Sequence, residues 1–280
     1  MLPEGGNAAR PPGQGLQARA SATWLRWPAW MIAALLASLV ALLLGPLAVV
    51  ASGRVELGSQ WRSASRDSTG QAPDPRAEPG AVVQVYGART VHWRGAFGIH
   101  TWVVVKRSNA SEYTLYQVLG WRAYRGGRSV DVRRGGVPDG RWFGEFPDLL
   151  AERRGPGVDA LIDRVEAAVA SYPWADRYRA WPGPNSNTFV AHIARQVPEL
   201  RVDLPPTAIG KDFLGSSTFF AATPSGTGWQ LSAYGLLGAS LAVEEGLEVN
   251  LLGLSVGVDV NDPALRLPGI GKVPRTGPGG

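Results

Sequence analysis

The chain has 280 residues, no cysteine and three histidines, His92, His100 and His192. Without thiols there can be no disulfide framework, thiolate zinc site, iron–sulfur cluster or cysteine nucleophile, and three scattered histidines do not supply a metal centre. The net charge of +5 is spread thinly, with Arg133-Arg134 and Arg153-Arg154 only as pairs beside acids, so no nucleic-acid partner is expected.

Glycine (36) and proline (22) are frequent, so loops must be too, yet 45% hydrophobic residues and 11 tryptophans mark a folding chain. Only Lys106, Lys211 and Lys272 are lysines among 28 basic residues, a bias that suggests a GC-rich, bacterial coding genome.

Residues 1–28 read as a short segment carrying Arg10, Arg19 and Arg26 against Glu4. From Ala29 to Ala51 there is no charge. Those 23 residues form an apolar run, roughly 34 Å long as a helix and enough to span a bilayer. Trp24, Trp27 and Trp30 stand where an interfacial aromatic belt belongs. The positive-inside rule then places the N-terminus in the cytoplasm and the main domain in the periplasm or outside, anchored in a bacterial inner membrane. The competing reading is a signal peptide broken at Gly45-Pro46 and cleaved after Ala51. The length of the apolar run favours the anchor.

Residues 53–80 are polar and rich in Pro, Gly and Ser, and read as a flexible linker. An exported α+β domain is expected over 81–260. AVVQVY (81–86), Ile99–Lys106 and Tyr113–Trp121 read as strands. Residues 125–145 are Gly- and Arg-rich with little periodicity. Val158, Leu161, Ile162, Val165 and Val169 then mark one face of a helix, and Ser186–Gln196 fits a second, stopped by Val197-Pro198. Along 252–260, Leu and Val alternate with Gly, Ser and Asp, the pattern of a half-buried strand. Residues 261–280 read as a flexible tail.

Two places attract chemistry. His100 opens a strand in Gly98-Ile99-His100-Thr101-Trp102, and Asn185-Ser186-Asn187-Thr188-Phe189 opens a helix. A nucleophile at a helix N-terminus gains from the dipole and from free N–H groups, and a histidine on a neighbouring strand can act as its base. Ser186 is equally a good N-cap, as is Asn185. His192 lies six residues after Ser186, about 1.7 turns, and so points roughly the other way; it reads as structural, like His92. Gly253-Leu254-Ser255-Val256-Gly257 matches a nucleophile elbow, but strand continues after it and no histidine follows. Asp159, Asp163 and Glu166 read as an exposed helix face. The aromatic stretch 172–181 (YPWADRYRAW) could line a cleft or bury itself.

His-Thr at a strand start, followed much later by Asn-X-Asn-Thr-Phe at a helix start, resembles the circularly permuted papain-like hydrolases. These are the PPPDE group and, more distantly, NlpC-type and lecithin-retinol-acyltransferase-like enzymes. From about His92 to Asp212, and on to about Val260, the chain also resembles the bacterial membrane-associated domain-of-unknown-function family 3750. The papain-like resemblance implies an α+β, permuted papain-like (NlpC-type) domain after one transmembrane helix. It places Ser186 at the catalytic cysteine and His100 at the catalytic histidine. Tyr116 and Gln117, on the next strand, become candidates to orient the imidazole, and Asn185 and Asn187 candidates for the oxyanion hole or ligand binding. A serine hydroxyl starts several pKa units above a thiol, and a helix dipole offsets less than about one unit. The leading expectation is therefore a papain-like fold that has lost its cysteine and binds a peptide, lipid or envelope ligand without cofactor or metal. The alternative is a serine-dependent acyl or peptide hydrolase using His100 and Ser186.

Overall fold

The computed structural model describes residues 23–55 and 63–274. The expectations resting on Arg10, Arg19 and residues 275–280, and on the side chains of Trp24, Arg26 and Trp27, lie outside the described part. The chain divides into two compact units, one up to Leu39 and one from Val40 onward.

Helix α1 (Thr23–Ala51) contains the apolar run and is a candidate membrane span. It continues through Gly45-Pro46, where the sequence suggested a break. Around Pro46 the helix is packed against the domain: a Cβ at Gly45 would overlap the Pro268 carbonyl. Val49 is buried with Val55, Ala96 and the flanking Ile270.

Five strands make the first sheet, all antiparallel, in the order β4-β3-β2-β1-β5. They are β1 (Val82–Arg89), β2 (Ile99–Lys106), β3 (Thr114–Val118), β4 (Val130–Arg134) and β5 (Asp148–Arg154). The strand expected over 113–121 ends at Val118, and a one-turn helix α2 (Gly120–Tyr124) follows. Val83, Val85, Val103 and Val105 face two helices, α3 (Val158–Ala170) and α4 (Ser186–Gln196), in the main core. Ile162, Val165, Phe189, Val190 and Ile193 are the helical half of that core. The alternate residues Tyr86, Trp102 and Val104 form a smaller core on the other face with Tyr113 and Leu115. The period-2 pattern of β2 therefore puts Ile99 and Thr101 on the helix side and His100 on the other.

The segment read as a linker is irregular in 63–80 but pinned. Buried Asp139 accepts hydrogen bonds from Ser68 Oγ (2.7 Å), Gln71 N (2.6 Å) and Ala72 N (3.2 Å).

A second antiparallel sheet has seven strands in the order β12-β11-β10-β9-β8-β7-β6. They are β6 (Phe220–Ala222), β7 (Gly228–Ala233), β8 (Leu237–Ala242), β9 (Gly246–Leu251), β10 (Leu254–Asp259), β11 (Ala264–Leu267) and β12 (Gly271–Val273). Two of these lie in the stretch read as tail. The single strand expected over 252–260 begins after a turn at Leu252-Gly253, where Leu252 takes φ 53°. The architecture is thus mixed α and β, weighted towards antiparallel sheet.

Candidate functional site

Asn185, not Ser186, caps α4. Its Oδ1 accepts from the N–H groups of Asn187 (2.9 Å) and Thr188 (3.1 Å), and Thr188 Oγ1 accepts from Asn185 N, closing a capping box. Asn185 Nδ2 donates to the carbonyls of Ala180 (3.0 Å) and Ile209 (2.9 Å). Asn187 is equally committed. Its Nδ2 donates to Ile99 O (3.0 Å) and Ile209 O (2.8 Å), and its Oδ1 accepts from Thr101 Oγ1 at 3.0 Å. With every donor engaged, neither amide can serve as the oxyanion or ligand donor the sequence suggested. Both hold the helix start to the strand.

Ser186 is buried, but its hydroxyl makes no hydrogen bond among the described residues. Two expectations follow for urea unfolding. Asn185→Ala should cost about 2–3 kcal/mol through the lost cap and the orphaned Ala180 carbonyl, while Ile209 O keeps Asn187 as its donor. Ser186→Ala should stay within about 0.5 kcal/mol of the parent. Equal losses would show that Ser186 supports the helix after all.

His100 is 5% exposed and lies on the sheet face away from the packing of α4. Its backbone is close to the helix start, since Thr101 Oγ1 donates to Ser186 O (3.2 Å) and Ile99 O accepts from Asn187. No hydrogen bond joins the imidazole to the Ser186 hydroxyl, so the structure does not form the expected dyad. Instead His100 Nε2 meets Gln117 Oε1 at 3.1 Å, and Gln117 Nε2 donates to Asp131 Oδ2 at 3.1 Å. Because Asp131 accepts, Gln117 must offer its oxygen to the ring. That fixes the proton on Nε2 and leaves Nδ1 as the acceptor. Asp131 is itself held by Arg122 (2.7 Å) and Arg133 (3.4 Å).

The imidazole stacks on Trp142 with ring centroids 3.6 Å apart, and Trp121 stacks on Trp142 in turn at 6.1 Å. Burial pushes the His100 pKa down to about 4, against a smaller upward pull from Gln117. The unfolded chain therefore takes up a proton near pH 6.5 that the folded chain refuses until about pH 4. Stability should be constant above pH 6.5 and fall as pH drops through that window, by about 3 kcal/mol at its lower end. His192, lowered by burial too, adds in the same sense. The His100 ring resonances, followed by NMR, should titrate near pH 4; a midpoint near 6.5 would contradict the buried stack.

Tyr116 does not belong to the site. It points into the helix-side core and donates to Glu166 Oε1 (3.1 Å) on α3, because its register partner is Val103, not His100. His192 bridges α4 to Ala168 O of α3 at 3.1 Å. Ser255 lies buried in β10, 3.5 Å from Asp212 Oδ2, in a plain strand and not on an elbow. Glu166 and Asp163 pair with Arg107, and Asp159 caps Ser108, so that helix face is salt-bridged surface. Among the described residues no group of three or more histidines and carboxylates converges as a metal site would.

Sequence reasoning missed Asp131, Trp121 and Trp142. Asp131 stands opposite Gln117 in the β3–β4 register, which no local pattern reveals. The exposed residues beside this site are Trp121, which stacks on Trp142, and Arg122 and Arg133, which hold Asp131, all from the Gly- and Arg-rich stretch and its approach.

No curated protein and no solved structure matches the chain. The part that holds β1 to β5, α3, α4, His100, Gln117, Asp131 and Ser186 is the part that a family model recognises: residues 80–213 match the family described as "Protein of unknown function (DUF3750)".

Proposed function

We propose that this domain is a membrane-tethered, envelope-side ligand-binding module, in which the His100 site recognises an anionic peptide or envelope ligand and does not cleave it. One observation carries this reading. The imidazole is buried, neutral and stacked beneath Trp142, without a hydrogen bond to Ser186, while exposed Trp121, Arg122 and Arg133 stand beside it. A base with so low a pKa gains little by taking a serine proton at neutral pH. An aromatic face beside two guanidinium groups suits a ligand with an apolar body and a negative charge.

The test uses a fluorescent acidic peptide, with a lysine peptide of equal length as control. Salt-sensitive binding of the acidic peptide is expected, weakened about tenfold by Trp121→Ala, which corresponds to about 1.4 kcal/mol. Arg122→Ala/Arg133→Ala should weaken it further and flatten the salt dependence. Equal affinity for both peptides would overturn the charge argument.

A serine-dependent hydrolase remains the second reading, favoured by a specific feature. Ser186 has an unbonded hydroxyl beside a helix start, and the Gln117–Asp131 relay leaves His100 Nδ1 as a proton acceptor. Catalysis by this pair requires the imidazole to leave the Trp142 stack.

A further inference from the structure

In the seven-stranded sheet the usual partition of residues is reversed. Facing inward are Gln230, Ser232, Glu248, Asn250, Asp259 and Arg266, all buried. They meet a charged network in which Lys211 Nζ contacts Glu248 Oε2 (2.6 Å) and Arg266 Nε contacts Glu248 Oε1 (2.7 Å). Facing outward, and exposed, are Trp229, Leu231, Leu241, Leu247, Val249 and Val258. Leu241 is 68% exposed and Val260, at the end of β10, 75%. Register explains why the two sets never mix: Val258 pairs with Leu247, Val249 with Ala239, and Leu265 with Val273, while Arg266 pairs with Lys272 on the inner side. No outward strand residue is charged. Phe220 and Trp229 stack on this face at 5.0 Å. A monomer in water rarely shows so broad an apolar surface, whereas apolar-out and polar-in is the order of a sheet that meets lipid.

The occupant is indicated by what is fastened to the sheet's end. The apolar helix does not leave the sheet free: its last turns pack on the β11–β12 connection. Gly45 lies against the Pro268 carbonyl, Pro46 against Gly269, and Val49 beside Ile270. Residues 42–51 would occupy roughly 15 Å at the outer end of a span, about half of a hydrocarbon core. Whatever is packed against them must sit at the depth of the outer leaflet. The geometry points to a lipid bilayer: the outward face of β7–β12 lies on the outer leaflet of the membrane that α1 crosses. This rests on the reading of α1 as an uncleaved anchor.

The absence of cysteine makes a clean test available. Single cysteines replacing Leu36, Leu241, Val258 and, as an aqueous reference, Arg128 would carry nitroxide labels in the full-length protein. The protein is reconstituted in phosphatidylethanolamine/phosphatidylglycerol vesicles. At 241 and 258, as at 36, broadening by oxygen should persist and broadening by an aqueous nickel chelate should be lost; 128 should show the reverse. Aqueous behaviour at either sheet position, with 36 still in lipid, overturns the inference alone. Aqueous behaviour at 36 as well removes the anchor reading with it. Sheet labels shielded from both reagents would mean that protein, such as a second copy, covers the face, and would also overturn it.

Discussion

Glu248→Ala should destabilise the protein by about 3–5 kcal/mol, the largest effect expected of any single substitution. Glu248 stands on β9 between two buried cations. Its carboxylate meets Lys211 Nζ at 2.6 Å and Arg266 Nε at 2.7 Å, and Arg266 continues to Asp203 at 2.7 Å. Burial works against the charged form of Lys211, but Asp212 and Glu248 outweigh it and hold the ammonium protonated. Arg266 is held charged in the same way, by Glu248 and Asp203 against burial. Deleting the shared acid leaves two cations in a region that water does not reach, which costs more than the pair itself contributes. Glu199→Ala is the control, because its partner Arg164 is at the surface and such pairs contribute less than about 1 kcal/mol. Urea unfolding of both variants checks the contrast. A loss below about 1 kcal/mol at Glu248 would mean that solvent enters the inner face of the sheet.

Asp139→Ala is the second large loss, expected at about 3–4 kcal/mol. This one carboxylate collects Ser68 Oγ, Thr69 Oγ1, Gln71 N and Ala72 N, with distances between 2.6 and 3.3 Å. Without it, two backbone N–H groups and the Ser68 hydroxyl lose their acceptor, while Thr69 Oγ1 keeps the backbone carbonyl of residue 139 (2.9 Å), and the segment 68–72 loses most of its attachment to the domain. Faster proteolysis within 65–72, and early amide exchange at Gln71 and Ala72, should accompany the loss of stability. Asp139→Asn, which keeps one acceptor oxygen, should fall between the variant and the parent.

The same residue shows where the sequence was readable and where it was not. Composition correctly found 53–80 poor in apolar residues, and such a stretch has no periodicity to announce structure. Residues 68–72 are held by one acid about seventy residues away, a relation without local signal. Helix α4 was legible end to end, because its apolar spacing, its capping candidates and the Val197-Pro198 stop agree. Which cap operates was not: Asn185 and Ser186 are both good caps, and only the backbone at Asn185 is extended. β2 was legible from its β-branched run, and alternation along it would have separated His100 from the helix face had the packing side been known. In β10 the alternation was equally clear, but period 2 states that two faces differ, never which one is inside. There the polar set is inside. The Gln117–Asp131 contact and the Trp142 stack depend on strand register and on a loop without pattern, so the surroundings of His100 became visible only in the fold.

A His100 site that recognises a ligand without cleaving it leaves Ser186 unreactive. The most direct measurement is intact-mass analysis of the full-length protein after treatment with a serine-directed phosphonate between pH 6 and 9, with Ser186→Ala as reference. Each chain is expected at its own unmodified mass, the variant lighter only by the missing oxygen. A phosphonyl adduct on the parent, mapped to Ser186 and missing from the variant, would contradict it.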